Sequence, residues 1–353
     1  MSKFLRSADA SHRLSLAAME EASRVGLRTA DIEHLLLALT IDRDRAGSVL
    51  RRHGLTLKST RAVIAAQHVA HLATLGVSID EPAAGRIVFH DTDGYAWSAR
   101  AQRIFTNANA RGNAGDAVAV LGELLAEPSG LIESVLCEAG ANRVSIELDL
   151  ADSDSTRAAV QRRTASRPSS ALAGTTEAFI PAPIAEVWGL LADPARIPEW
   201  DPSVASVDTR RDPAESEAEA GAEAGVEAGS DCAGEDGAAW RARATTTRPD
   251  GTTMKVAPAF QRLRIERLAR DPERHVVWNL AFPDSARANS RTIDLRLESD
   301  PGGTRLRIAF SWDRAGDRPR RHRLLGFLLR PLYRVVIWVQ LSQLVSGISR
   351  VFR

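Results

Sequence analysis

The stretch FIPAPIAEVWGLLADPARIPEWDPSV, Phe179 to Val204, decides how the second half of the chain folds. Thr176 to Ile180 reads as extended, and Pro181 and Pro183 end it, because proline fixes φ and has no N–H to give to a ladder. Pro183 is tolerated in a first helical turn. From there Ile184, Val187, Trp188 and Leu191 recur at i, i+3, i+4 and i+7, which predicts an amphipathic helix with one buried face. Asp193-Pro194 closes that helix, and Ile197-Pro198-Glu199-Trp200 predicts a second short turn that tucks Trp200 under the domain.

Downstream, apolar residues alternate with polar ones in four runs: Leu263 and Ile265; Val276, Trp278, Leu280 and Phe282; Ile293, Leu295 and Leu297; Leu306, Ile308, Phe310 and Trp312. A period of two is the mark of an antiparallel sheet with one buried face. Asp271-Pro272-Glu273 and Pro301-Gly302-Gly303 supply turns. A long helical segment from Asp317 to about Phe352 closes the chain.

Strand, two short helices, a meander and a long final helix make the helix-grip order. With IPAPIAEVW and PARIPEWDP as its specific part, the region from Thr175 to the C-terminus resembles the SRPBCC superfamily, which includes START-like lipid binders and polyketide cyclase-like proteins. The resemblance implies an apolar cavity between sheet and final helix. It places Trp188, Trp200, Trp278, Phe310, Phe327 and Trp338 against that cavity, for an apolar small molecule or lipid. A solid core accounts for the same aromatic pattern. Residues 213–238, PAESEAEAGAEAGVEAGSDCAGEDGA, depart from the family order. They are acidic and poor in bulky side chains, which predicts a disordered insertion.

The first half, residues 1–150, is rich in Ala and Leu with helical periodicity, and 151–174 reads as a linker. A shift of 86 positions superposes Ala22 on Ala108, Leu35 on Leu121, Leu39 on Leu125 and Gly54 on Gly140, so the half is an internal repeat. Its first copy, AAMEEASRVGLRTADIEHLLLALTIDRDRAGSVLRRHG, resembles the Clp N-terminal repeat domain. That resemblance implies recognition of Clp protease or chaperone components, or their clients, through acidic groups at the start of the second helix, where Asp31 and Glu33 stand. The second copy has Ala119 in the place of Glu33. A favourable interaction with the helix dipole explains both acids without a partner, and His34 reads as a packed or capping histidine.

Several classes are set aside by what the chain lacks. No G-x-x-x-x-G-K-[ST] run is present, so no ATPase is expected. A net charge of +1 gives no reason to expect nucleic acid as a partner. His68 and His71 have no third ligand nearby, so no metal or other cofactor is expected. His275, Asn279, Asp294 and Arg307 are out of phase with the buried rows and are expected to face water, which leaves no catalytic residue to name. Arg330 and Arg334 interrupt the final helix, each at about 3 kcal/mol at mid-bilayer, so a transmembrane span is not expected. Its surplus apolar surface suits a peripheral membrane contact or a homodimer. With no signal-peptide core in Met1 to Leu14 and two distant cysteines, the expectation is a cytoplasmic protein. The reading is therefore a multidomain binding protein, an all-α Clp-N-like domain followed by an α+β helix-grip domain, with a cyclase- or hydratase-like enzyme as the alternative.

Overall fold

The structure, a computed structural model, describes residues 3–77, 87, 94–110, 115–152, 173–209, 237–247, 252–285, 288–313 and 330–353. Most of the expected linker and of the acidic insertion lies outside the described residues, as does Phe327. The chain divides into two compact units, residues 1–166 and residues 167–299 with 304–352. Each has its own apolar core.

The first unit is helical: α1 (Lys3–Arg24), α2 (Ile32–Thr40), α3 (Arg45–Arg52) and α4 (Leu57–Thr74), then α5 (Ala99–Ala108), α6 (Ala117–Leu125), α7 (Leu131–Glu138) and α8 (Arg143–Asp152). Two short strands, β1 (Thr29–Ala30) and β2 (Ala96–Trp97), pair in parallel and join the two copies of the repeat. The internal repeat is visible in the packing. Ala22 and Ala108, Leu35 and Leu121, and Leu39 and Leu125 are all buried in the shared core. Gly54 and Gly140 end α3 and α7 in the left-handed region, at φ 81° and 73°. The one slip is at the N-caps of α2 and α6, Asp31 and Asp116, which stand one position closer than the shift of 86 requires.

The second unit is a seven-stranded antiparallel sheet with helices on one face. Its elements are β3 (Ala173–Ile180), α9 (Ile184–Leu191), α10 (Ile197–Trp200), β4 (Val204–Val207), β5 (Ala239–Ala244), β6 (Arg262–Asp271), β7 (His275–Ala281), β8 (Ser290–Asp300), β9 (Gly303–Asp313) and α11 (Arg330–Val351). The strand order is β3-β9-β8-β7-β6-β5-β4. The alternating rows of β6 to β9 form the buried face as the sequence predicts, and β5 adds Trp240 to it, opposite Ile265.

Helix α11 lies close on that face because small residues admit it. Gly174 of β3 pairs with Phe310 of β9, and a Cβ on Gly174 would stand 2.5 Å from Ile337 Cγ2. A Cβ on Gly347 would stand 2.2 Å from the carbonyl oxygen of Trp200. The buried stripe of α11 is Ile337, Leu341, Leu344 and Ile348. This corrects the expected placing of Trp338, which is 41% exposed together with Val335 and Val339. The helix is apolar around most of its girth, so periodicity alone does not fix which side turns inward. No described helix is long and apolar enough to cross a membrane.

Candidate functional site

The concave face of the sheet is built from the residues that open the domain. Val187, Trp188, Leu190 and Leu191 of α9 are buried against it. The end of α9 leaves carbonyls without helical partners, and the indole Nε1 of Trp278 donates to one of them, Leu191 O, at 2.9 Å. Asp193 caps the following 3-10 turn by accepting from Ala195 N. Trp200 then enters the core at 1% exposure, its Nε1 without a hydrogen-bond partner among the described residues.

Asp201 anchors that turn to the sheet. It is buried, and its Oδ2 accepts from Arg291 Nη2 at 2.8 Å while Oδ1 accepts from Ser203 N and Ser203 Oγ. Arg291 stands opposite Leu280 across β7 and β8, so it belongs to the concave face. The WDPS tetrapeptide is thus a clamp in which a buried carboxylate, a hydroxyl and a guanidinium satisfy one another.

The opposite end of the same face carries two arginines that the sequence pattern does not disclose. In β6 Arg267 pairs with Trp278 and Ala269 with Val277, so Leu268 is an extra residue in a β-bulge. Beyond it Arg270 pairs with Val276. Trp278 and Val276 both point into the core, so Arg267 and Arg270 share the concave face with them. Arg267 Cζ lies 5.5 Å from the ring centroid of Trp240, and Arg270 Cζ lies 5.8 Å from that of Trp188. Both are within cation–π range. Trp240 meets Trp278 edge to face at 5.8 Å, which continues the aromatic surface inward. Among the described residues, Arg270 makes no ion pair.

Of the six aromatic residues expected at a cavity, Trp200, Trp278 and Phe310 are on the concave face and almost wholly without solvent-exposed surface. A ligand that reaches them has to displace neighbouring side chains. Trp188, at 9% exposure, and Trp240, at 8%, are buried on the same face. Trp240 escaped the sequence reading because β5 is short and adjoins the acidic insertion. The polar residues expected to face water do so: His275 Nε2 bonds Asp294 Oδ1 at 2.9 Å on the convex face, and Asn279 donates to Thr292 Oγ1 beside them. Tyr333 of α11 is half-buried, one helical turn before Ile337 and on its side of the helix.

In the helical unit, Asp31 is the N-cap of α2. It accepts from Ile32 N, Ser98 Oγ and Arg100 Nη2. Burial alone would raise its pKa, but the hydrogen bonds from Ser98 and Arg100 hold it below the usual carboxylate value. His34 Nδ1 accepts from Asp31 N and completes a capping box. Burial pushes His34 below the usual imidazole pKa, against the opposing pull of Glu33. The 3.7 Å approach of Glu33 Oε1 to His34 is therefore not a charged pair. Glu33 is 9% exposed, and its Oε2 has no hydrogen-bond partner among the described residues.

Residues 172–335 match the family described as polyketide cyclase / dehydrase and lipid transport. No curated protein matches the chain. Among solved structures, protein Ms6760 from Mycobacterium smegmatis is 18% identical over 51% of this chain and 90% of its own, with a TM-score of 0.31. The di-domain ARO/CYC StfQ from the steffimycin biosynthetic pathway is 13% identical over 64% of this chain and 59% of its own, TM-score 0.33. The N-terminal domain of the caseinolytic protease associated chaperone ClpD from Arabidopsis thaliana is 20% identical over 44% of this chain and 96% of its own, TM-score 0.32. With its antiparallel sheet, closing helix and family match, the C-terminal half carries a polyketide cyclase/SRPBCC-like domain behind a helical N-terminal half.

Proposed function

We propose that this is a cytoplasmic, non-enzymatic binding protein whose helix-grip domain holds an apolar or amphipathic small molecule and whose helical domain engages a protein partner. The make-up of the concave face carries the reading. Apart from Arg267, Arg270 and Arg291 its described wall is mainly aliphatic and aromatic, its one described carboxylate, Asp201, is committed to Arg291, and no histidine of the described residues stands on it. A wall of this kind offers contact area and no acid–base pair. The test is native mass spectrometry of the purified full-length protein together with thermal unfolding in a panel of fatty acids and polycyclic aromatics. A ligand at a hundred times its Kd is expected to add about 2.7 kcal/mol of stability to the C-terminal half. No retained mass and no shift across the panel would overturn the proposal.

The alternative, a cyclase- or hydratase-like enzyme, is favoured by one observation, the position of Tyr333 beside Ile337 on the helix that faces the sheet. Its phenol is a hydrogen-bond donor and acid at the right wall. Recovery of the ligand with an altered mass, and loss of that conversion in Tyr333→Phe, would establish it.

For the helical domain, the reading rests on the repeat and on Glu33. A buried carboxylate oxygen without a donor costs stability, and a cationic or phosphoarginine-bearing segment of a Clp component or client would supply one. Glu33→Ala is therefore expected to weaken capture of arginine-phosphorylated peptides while the helical domain keeps its stability within about 1 kcal/mol. Unchanged capture removes Glu33 from the site.

A further inference from the structure

Between Pro213 and Asp236 the chain holds eight carboxylates and no basic residue. Val226 is the largest aliphatic side chain of that run, so charge rather than apolar burial governs what it touches. We infer that this acidic segment seats on the exposed arginine face of β5 and β6, a surface of its own domain, and keeps other polyanions off it.

The register of the sheet builds that face. Arg241 stands directly opposite Arg264, and Arg243 directly opposite Arg262. Their sequence neighbours Trp240, Ala242, Leu263 and Ile265 are buried, so alternation turns all four arginines to the convex side, where they are exposed. Like charges opposite one another destabilise a ladder, and such a face needs counter-charge. The described residues supply part of it. Asp284 meets Arg262 in a fork, its Oδ2 accepting from Nε at 2.6 Å. Glu266 stands two residues beyond Arg264 on the same face, beside Asn279 of β7. Arg243 faces Ser206 of β4 and makes no ion pair among the described residues.

The acidic segment is tethered at this face by both ends. Asp208 N donates to Arg241 O, and Gly237 N donates to Arg267 O, each at 2.8 Å. Arg243 lies roughly 20 Å along the sheet from Gly237, at about 3.3 Å per strand residue. Half the length of residues 210–236 extends to roughly 40 Å, so its carboxylates reach every arginine of the group. Single exposed ion pairs are weak. A double tether raises the local concentration of the carboxylates to the order of millimolar, and several pairs then act together.

The test follows cleavage of the full-length protein by a glutamate-specific protease at low ionic strength. Cutting within residues 213–236 is expected to be at least about fivefold slower than cutting of a free peptide of the same sequence, because cleavage tracks the fraction of segment that is off the face. In 1 M salt, where the Debye length falls to about 3 Å, the difference should vanish. It should also vanish at low salt when Arg241, Arg243 and Arg264 are all replaced by Gln, and shrink in Arg243→Gln alone. These substitutions relieve like-charge opposition at exposed positions and so spare the fold. Arg296→Gln, on the convex face of β8 and paired with Asp294, should leave the protection intact. With every acid of the segment replaced by its amide, the protein is expected to bind a heparin oligosaccharide at least about tenfold more tightly than the wild type, as expected when a tethered competitor is removed. The triple arginine variant should lose that gain. Equal cleavage of protein and peptide at low salt overturns the inference, whether or not the variants fold. Protection that persists in 1 M salt or in the triple variant overturns the assignment to these arginines. A heparin gain that survives the arginine substitutions traces to bulk charge and overturns the shielding role.

Discussion

Replacing Trp278 by alanine is expected to destabilise the C-terminal half by about 3–5 kcal/mol, the usual cost of emptying a large aromatic site. The ring is fully buried in the middle of the sheet and packs edge to face on Trp240. Its Nε1 also supplies the buried hydrogen bond to Leu191 O, whose loss leaves a carbonyl unsatisfied and pushes the cost toward the top of that range. Urea unfolding of the full chain followed by tryptophan emission measures it. Five of the remaining tryptophans, Trp188, Trp200, Trp240, Trp312 and Trp338, belong to this half, so the signal survives the substitution. A loss well below the range would mean that the ring already stands beside empty space and that the cavity extends to it.

Asp201→Ala is expected to cost a similar amount, about 3–5 kcal/mol, by a different route. The substitution removes little volume but strands the Arg291 guanidinium, which is 14% exposed, without its carboxylate. The companion experiment is Asp201→Asn with Arg291→Met. Removing both charges should cost less than stranding one, because the penalty lies in the unpaired charge rather than in the lost attraction. Equal losses for the single and double variants would show that the clamp acts by shape alone.

The sequence made the architecture legible where local chemistry and burial agree. Proline-bounded α9, the WDP turn and the alternating rows of β6 to β9 are each specified by several residues at once, and all stand where the pattern puts them. In the helical half, Asp31 and His34 announce a helix start, and they form a capping box there. Legibility fails where a single pattern has two solutions. Helix α11 presents apolar residues on both sides, so Trp338 and Ile337 compete for the inward direction and only packing against Gly174 and the Trp200 carbonyl decides between them. Strands β4 and β5 are too short for alternation to show, which hid Trp240. The bulge in β6 has no sequence signature, so Arg267 and Arg270 read as ordinary surface charges.

That bulge makes the electrical character of the concave face a matter of parity. With Leu268 left out of the pairing, Arg270 falls on the even count with Val276. Were the same residues paired without the bulge, strict alternation would bring Ala269 and Asp271 inward and turn Arg270 out to solvent. The same end of the domain would then present a carboxylate where it now presents a guanidinium. Deleting Leu268 would leave Arg270 opposite Val276, because it removes only the residue that has no partner across the ladder. The sign of the charge at this end of the face is thus held by the register of the strand and not by the identity of any residue in it.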